Sequence, residues 1–346
     1  MKMNKKSVFN FTKRYLAYII IVAIVVFYTA LSMTGGAKTT DLYLLEKIAI
    51  AIILAVSLNM VVGFLGELSL GHAGFMCVGA YLGGKIAVML EPMLGNSLPT
   101  LLIAILVGGI VAALAGLVIG LPALRLRGDY LAIVTLAFGE IVRSLFMNAP
   151  EALFGGTLGL ETPRFKKDYL FIIAFVFVLI TIAVTQNLLR SKHGRAVTAI
   201  RDNEIAARAM GINITKYKLL VFMISSFFAG VAGVLFSYSN YRIQSSNFDY
   251  NYSIEILVMV VLGGIGSING SIVAATLITF LNVKLQTLLT SDLAVLQNLL
   301  YALILIVIVI YKNAPALKPF REQVSITITK FRTSIFGGKK KVKEDK

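Results

Sequence analysis

LPTLLIAILVGGIVAALAGLVIGL, residues 98–121, runs through twenty-four positions without one charged side chain. A helix of about 20 apolar residues crosses the ~30 Å hydrocarbon core of a bilayer, and this stretch is long enough to do so. Comparable runs recur along the whole 346-residue chain. Composition agrees: 58% of the residues are hydrophobic and 14% charged, against roughly 45–50% and about 25% in an ordinary soluble domain. The runs are evenly apolar rather than alternating with period two, which excludes the strands of an outer-membrane barrel. The chain therefore reads as all-α, a polytopic transmembrane helical bundle.

Working outward from 98–121, the hydropathy pattern predicts ten spans: 15–34, 44–64, 68–90, 98–121, 130–147, 169–189, 219–241, 253–267, 270–289 and 293–311. The first is read as a retained span. Its apolar stretch from Tyr15 to Met33 exceeds the ~7–15 residues of a signal-peptide core. Ten spans put both termini on one side, together with the connections 122–129 and 190–218. Most of the 33 lysines and arginines fall on that side, and the positive-inside rule makes it cytoplasmic. The organisation expected is a basic cytoplasmic N-terminus (1–14), a membrane domain (15–311) with a cytoplasmic loop at 190–218, and a basic cytoplasmic tail (312–346). The net charge of +16 is explained by topology and anionic lipid, so no nucleic-acid partner is inferred. The single cysteine, Cys77, lies in an apolar run and excludes an internal disulfide framework.

Four stretches depart from plain apolar helix. In GELSLGHAGFMCVGAYLGG (66–84) glycines crowd an apolar segment that opens with Glu67, Ser69 and His72. Gly71, His72 and Gly74 can belong to a broken helix beside a substrate path, since irregular backbone at depth is tolerated inside protein or along a cavity. Close helix packing through small residues explains the glycines equally well. In GDYLAIVTLAFGEIVRSLF (128–146), Glu140 and Arg143 are three apart and share a helix face. They either line a pathway or neutralise each other. In VLGGIGSINGS (261–271), Gly263, Gly264 and Gly266 mark a break between two apolar runs, either a flexible element of the path or a tight turn. None of these stretches supplies catalytic or metal-ligating residues.

The fourth stretch is HGRAVTAIRDNEIAARAMGINITKYK (193–218), in the basic connection. Asp202 is placed to cap a short helix whose apolar face is Ile205, Ala206, Ala209 and Met210, and Gly211 to end it. Arg195, Arg201 and Arg208 decorate the polar side. A face so rich in alanine partitions weakly into lipid, which favours docking into a protein groove over lying on the membrane surface.

On these motifs the chain resembles the permease subunits of branched-chain amino acid ABC importers, in particular the LivM-like branch. The resemblance rests on GELSLGHAGFMCVGAY, LRLRGDYLAIVTLAFGEIVR, GRAVTAIRDNEIAARAMGI and VLGGIGSINGS, in family order, over roughly residues 42–312. The connection with Gly155, Gly156, Thr157, Gly159 and Leu160 is similar to the family's glycine-rich external loop. The resemblance implies a non-enzymatic importer half in a prokaryotic cell membrane. Its implied partners are a second, LivH-like permease, two ABC ATPase subunits that bind ATP and Mg, and an extracytoplasmic substrate-binding protein; no cofactor is expected in this chain. It also implies that Arg201, Glu204, Ala206, Ala207 and Gly211 form the ATPase-docking element, although the Leu-Pro that often closes that motif is absent here. Leucine, isoleucine and valine are the implied cargo, with urea and short amides as the alternative. A reading from another class, an ion-coupled secondary transporter, would place Glu67, His72 and Glu140 at ion sites.

Overall fold

The computed structural model describes residues 18, 21–32, 34, 36, 38–126, 128–163, 165, 167–288, 302, 303 and 306. Helices carry the fold. In chain order they are α1 (Ile21–Ser32), α2 (Thr39–Asn59) with a π-helical extension (Met60–Leu65), α3 (His72–Leu94), α4 (Leu98–Ala123), α5 (Asp129–Met147), α6 (Glu151–Phe154), α7 (Lys167–Arg190), α8 (Lys192–Asp202), α9 (Glu204–Ala209), α10 (Ile214–Asn240), α11 (Tyr250–Gly263) and α12 (Ile268–Leu288). Among the described residues seven helices are long and apolar enough to cross a membrane: α2 to α5, α7, α10 and α12. The helices Ile21–Ser32 and Tyr250–Gly263 are apolar but shorter. Nine of the ten expected spans thus fall on described helices, and 293–311 lies outside the described residues but for 302, 303 and 306. The chain is an all-helical polytopic membrane protein.

The residues to Val283 form one compact unit. Within it α2 is buried almost all round, packed against α7, α10 and α11. By contrast α4 turns an apolar stripe outward, Leu102, Leu106, Ile110, Leu114 and Val118, the surface a membrane helix offers to lipid. α3, α4 and α10 make the tightest packing in the bundle, and glycine sets their distance. A Cβ at Gly79 would fall 2.3 Å from the Gly230 carbonyl oxygen, and one at Gly233 would fall 2.1 Å from that of Met76. Close backbone approach of this kind is how helices associate where lipid is as apolar as leucine.

Antiparallel packing of α2 and α10 fixes two ends. At one, Ser239 donates to Glu46 (2.6 Å), and Lys47 donates to Asn240 (2.9 Å). Near that end a two-residue antiparallel ladder, β1 (Leu160–Glu161) with β2 (Arg242–Ile243), joins the glycine-rich connection to the segment after α10. It is the only sheet among the described residues. Tyr81 stacks on Phe146 there at 4.4 Å. The other end carries α8 and α9 and is called the loop end below.

Two details differ from the sequence reading. The connection 190–218 holds two short helices rather than one, and α7 and α10 extend into it. Ser191 caps α8 by accepting from the Gly194 N–H. Asp202 is the last residue of α8, so the cap of α9 passes to Asn203, whose side-chain oxygen accepts from the Ala206 N–H at 3.0 Å. Second, the span placed at 68–90 begins as a helix only at His72: residues 66–71 are non-helical.

Candidate functional site

α9 ends as its glycine requires. Gly211 takes φ +80, its N–H donates to Arg208 O (3.0 Å), and the Ile212 N–H donates to Ala207 O (3.1 Å). This is a Schellman closure, in which the left-handed position costs glycine nothing. Ala207 is buried beneath the helix, while Ile205 and Met210 are 76% and 83% exposed. The six-residue helix thus turns its two large apolar side chains outward. Replacing Asn203 by alanine should remove about 1 kcal/mol of cap stabilisation and speed hydrogen exchange at Ala206 and Ala207 about fivefold. Unchanged exchange would show that packing at Ala207 alone holds α9.

Glu204 faces inward. Its Oε2 lies 3.3 Å from Nζ of Lys218, and the same ammonium is 2.5 Å from Glu67 Oε1. Lys218, in the first turns of α10, is 3% exposed. A buried ammonium needs such partners, and removing one partner of a buried pair costs about 3–5 kcal/mol. Arg208 also reaches Glu204 (3.4 Å), at the surface. Arg201 pairs with Asp202 (2.8 Å), donates to Gly63 O (3.4 Å), and lays its stem over Gly66 so closely that a Cβ there would fall 2.8 Å from Arg201 Cγ. Helices α8 and α9 are thereby fastened to residues 63–67.

Residues 66–74 reach the other helices in turn. The Leu70 N–H donates to Thr135 Oγ1 of α5 (3.0 Å), and the Ala73 N–H to Ser253 Oγ of α11 (3.1 Å). His72, 3% exposed, is hydrogen-bonded through Nε2 to Ser57 Oγ of α2 at 2.8 Å. Gly71 and Gly74 lie against the backbone of α5, where a Cβ would fall 2.4 Å from Thr135 O and 2.6 Å from Gly139 Cα, respectively. Ser69 Oγ is buried without a hydrogen-bond partner.

The break at 263–267 joins this site. It is a tight turn with Gly264 at φ +100 and Gly266 at φ +79, and Gly263 packs against Gly270. The Gly266 N–H donates to Asn59 Oδ1 (3.0 Å), and Asn59 Nδ2 donates to Ser271 Oγ (3.0 Å). Between Phe64, the end of α7 (Gln186, Arg190) and the turn (Ser267, Asn269) lies an open cavity of about 370 Å³.

All four stretches singled out in the sequence therefore meet around residues 57–74, the one at 128–146 through Thr135 and Gly139. The Glu140–Arg143 pair itself is engaged elsewhere. Arg143 Nε donates to Glu140 at 2.8 Å, and Glu140 Oε1 accepts from the Tyr250 N–H at the start of α11 (3.0 Å), roughly 20 Å along α11 from the glycine turn. A carboxylate at a helix N-terminus meets unpaired N–H groups and the favourable end of the dipole. Sequence reasoning missed the placement of Lys218, whose one signal is a lysine directly ahead of an apolar run.

The fold and this loop-end site define a multi-pass membrane protein with a short, exposed helix at one end. The chain belongs to the family described as branched-chain amino acid transport system, permease component, whose model matches residues 42–310. It is 36% identical over 260 residues to the high-affinity branched-chain amino acid transport system permease protein LivM of Salmonella typhimurium, covering 66% of this chain and 60% of that one. To LivM of Escherichia coli K12 it is 35% identical over 289 residues, covering 75% and 66%. The chain thus spans about six tenths to two thirds of the length of these curated relatives. The ribose import permease protein RbsC of Escherichia coli K12 is 25% identical over 321 residues, 87% of this chain and 93% of that one. No solved structure gives a significant match.

Proposed function

We propose that the chain is the membrane-spanning subunit of an ABC importer for leucine, isoleucine and valine, with α9 as the element that receives an ATPase. The observation that carries this reading is α9 itself: a short helix, capped at Asn203 and closed at Gly211, with Ile205 and Met210 bare at the loop end. Family membership supports the transport role, and the relatives' printed function supports the cargo. In this reading ten spans hold both termini in the cytoplasm of a prokaryotic cell, the loop end faces inward, and 312–346 is a basic tail on the inner leaflet. A second permease completes the pathway, two ATPases bind ATP and Mg, and an extracytoplasmic binding protein delivers the amino acid. Arg201 and Glu204 hold α9 in place, Ala207 packs beneath it while Ala206 stands on its exposed side, and Gly211 ends it. Gly71, His72, Gly74, Gly263, Gly264 and Gly266 belong to the segments that must shift when the path opens, and Glu140 braces α5 against α11.

The ion-coupled alternative loses support from the partners found for its three residues: Lys218 for Glu67, Ser57 for His72, Arg143 for Glu140. Reconstituted with those partners in proteoliposomes, the protein should take up labelled leucine only when ATP is supplied. Excess valine or isoleucine should suppress that uptake, and urea, acetamide or ribose should not. Uptake that continues without ATP and collapses with a proton or sodium ionophore would replace this reading by secondary transport.

A further inference from the structure

Lys218 joins segments that are far apart in sequence. Its ammonium is shared between Glu204 at the start of α9 and Glu67 in the non-helical stretch 66–71. The first carboxylate belongs to the exposed helix, while the second belongs to a loop that binds α5 through the Leu70 N–H and runs directly into His72 and Ala73 of α3, which bind α2 and α11. We propose that Lys218 is a positioning residue for transport: it makes loop 66–71 move with α9, so that displacement of the docking helix reaches the membrane-embedded ends of α3, α5 and α11. This deepens the reading above and rests on it.

Two features support the assignment. First, the Lys218 ammonium is buried and the Glu67 side chain only 13% exposed, so the tie is screened by salt less than a surface pair would be. Second, residues 66–71 form no helix of their own: the Gly66 and Glu67 N–H groups end the preceding π-helical turn on Val61 O, the Leu70 N–H goes to the Thr135 hydroxyl, and the Glu67 carboxylate goes to Lys218, which makes them the segment that can rearrange at least cost. Arg201 on α8 is a second attachment to the same stretch, through Gly63 O and over Gly66. Docking motion therefore meets the loop at two points, of which only Lys218 is a buried ion pair.

The test uses the complete importer in proteoliposomes, measuring leucine uptake and ATP hydrolysis together. Lys218→Met removes the cation beside the largely enclosed Glu67, so its loss of transport could come from folding alone. The decisive variant is Glu67→Met with Lys218→Met, which removes both charges, an exchange that is often near neutral for stability. The double variant should retain the ATPase on purification and hydrolyse ATP within about twofold of the unaltered complex. Its uptake per ATP should fall about tenfold. Unaltered uptake per ATP in the double variant would overturn the proposal while leaving the docking reading intact. A double variant that fails to assemble would also overturn it, because the pair would then hold the fold rather than transmit movement. If the unaltered chain itself retains no ATPase, the docking reading falls, and this inference with it.

Discussion

Gly79→Leu should leave almost no folded protein in the membrane. The hydrogen on Gly79 faces the backbone of Gly230, and even a methyl group would sit 2.3 Å from the Gly230 oxygen and 2.4 Å from its Cα. No rotamer relieves a clash with main chain, so α3 and α10 would have to part. They cannot part alone, because Gly230 also lies against Gly108 and Ala112 of α4, and Gly83 against Ala104 and Gly108. Overpacking a close-packed interior usually costs about 1–3 kcal/mol, and more when helices must separate along their length. Against a typical total stability of about 5–15 kcal/mol, that is a large share. The expected result is an at least roughly tenfold lower yield of monodisperse protein in mild detergent. Leu106→Ile, on the outward stripe of α4, should change nothing. Gly79→Leu protein that accumulates and melts as the unaltered chain does would show that this glycine contact does not set the spacing of α3 and α10.

The second large effect is expected at the exposed face of α9. Ile205→Asp combined with Met210→Asp should abolish ATP-driven uptake while the bundle stays folded. Both side chains stand clear of their own protein, so substitution removes no internal contact, and surface changes of this kind usually alter stability little. At a partner's groove the cost is different. Anchors that fill pockets are worth about 2 kcal/mol or more each, which is roughly 30-fold in affinity per side chain. A buried aspartate without a partner adds a desolvation penalty. Co-purification of the ATPase should therefore be lost and leucine uptake fall to background, with an unchanged melting profile for the permease. Retained ATPase and uptake would remove α9 from the interface.

The apolar runs were legible because the bilayer imposes a local rule, and every expected span that falls on described residues has a helix within a few positions. The pairing of Glu140 with Arg143 was legible for the same reason, being fixed by helical spacing. What escaped the sequence is non-local. The stretch 66–71 reads as the beginning of a span because it is apolar and rich in glycine; the non-helical course is tied to partners far along the chain, Thr135 for the Leu70 N–H and Lys218 for Glu67. Asp202 and Asn203 are both competent caps, and the choice fell to Asn203 once α8 ran on through Asp202. Lys218 counts, in sequence, as one more inward-facing charge. Its burial depends on Glu67, 151 positions away.

The near-complete burial of α2 bears on how the protein is made. It leaves the ribosome before α7, α10 and α11, the helices that enclose it, the last of which ends at Gly263. At about 5–20 residues per second, roughly 10–40 s of synthesis separate the end of α2 from the end of α11. Through that interval Glu46 waits for Ser239, and Asn59 for Gly266 and Ser271. A helix destined never to meet lipid must first survive beside it, or beside the insertion machinery, with its polar groups unmatched. Assembly of this bundle is thus an act of late enclosure around a segment produced early.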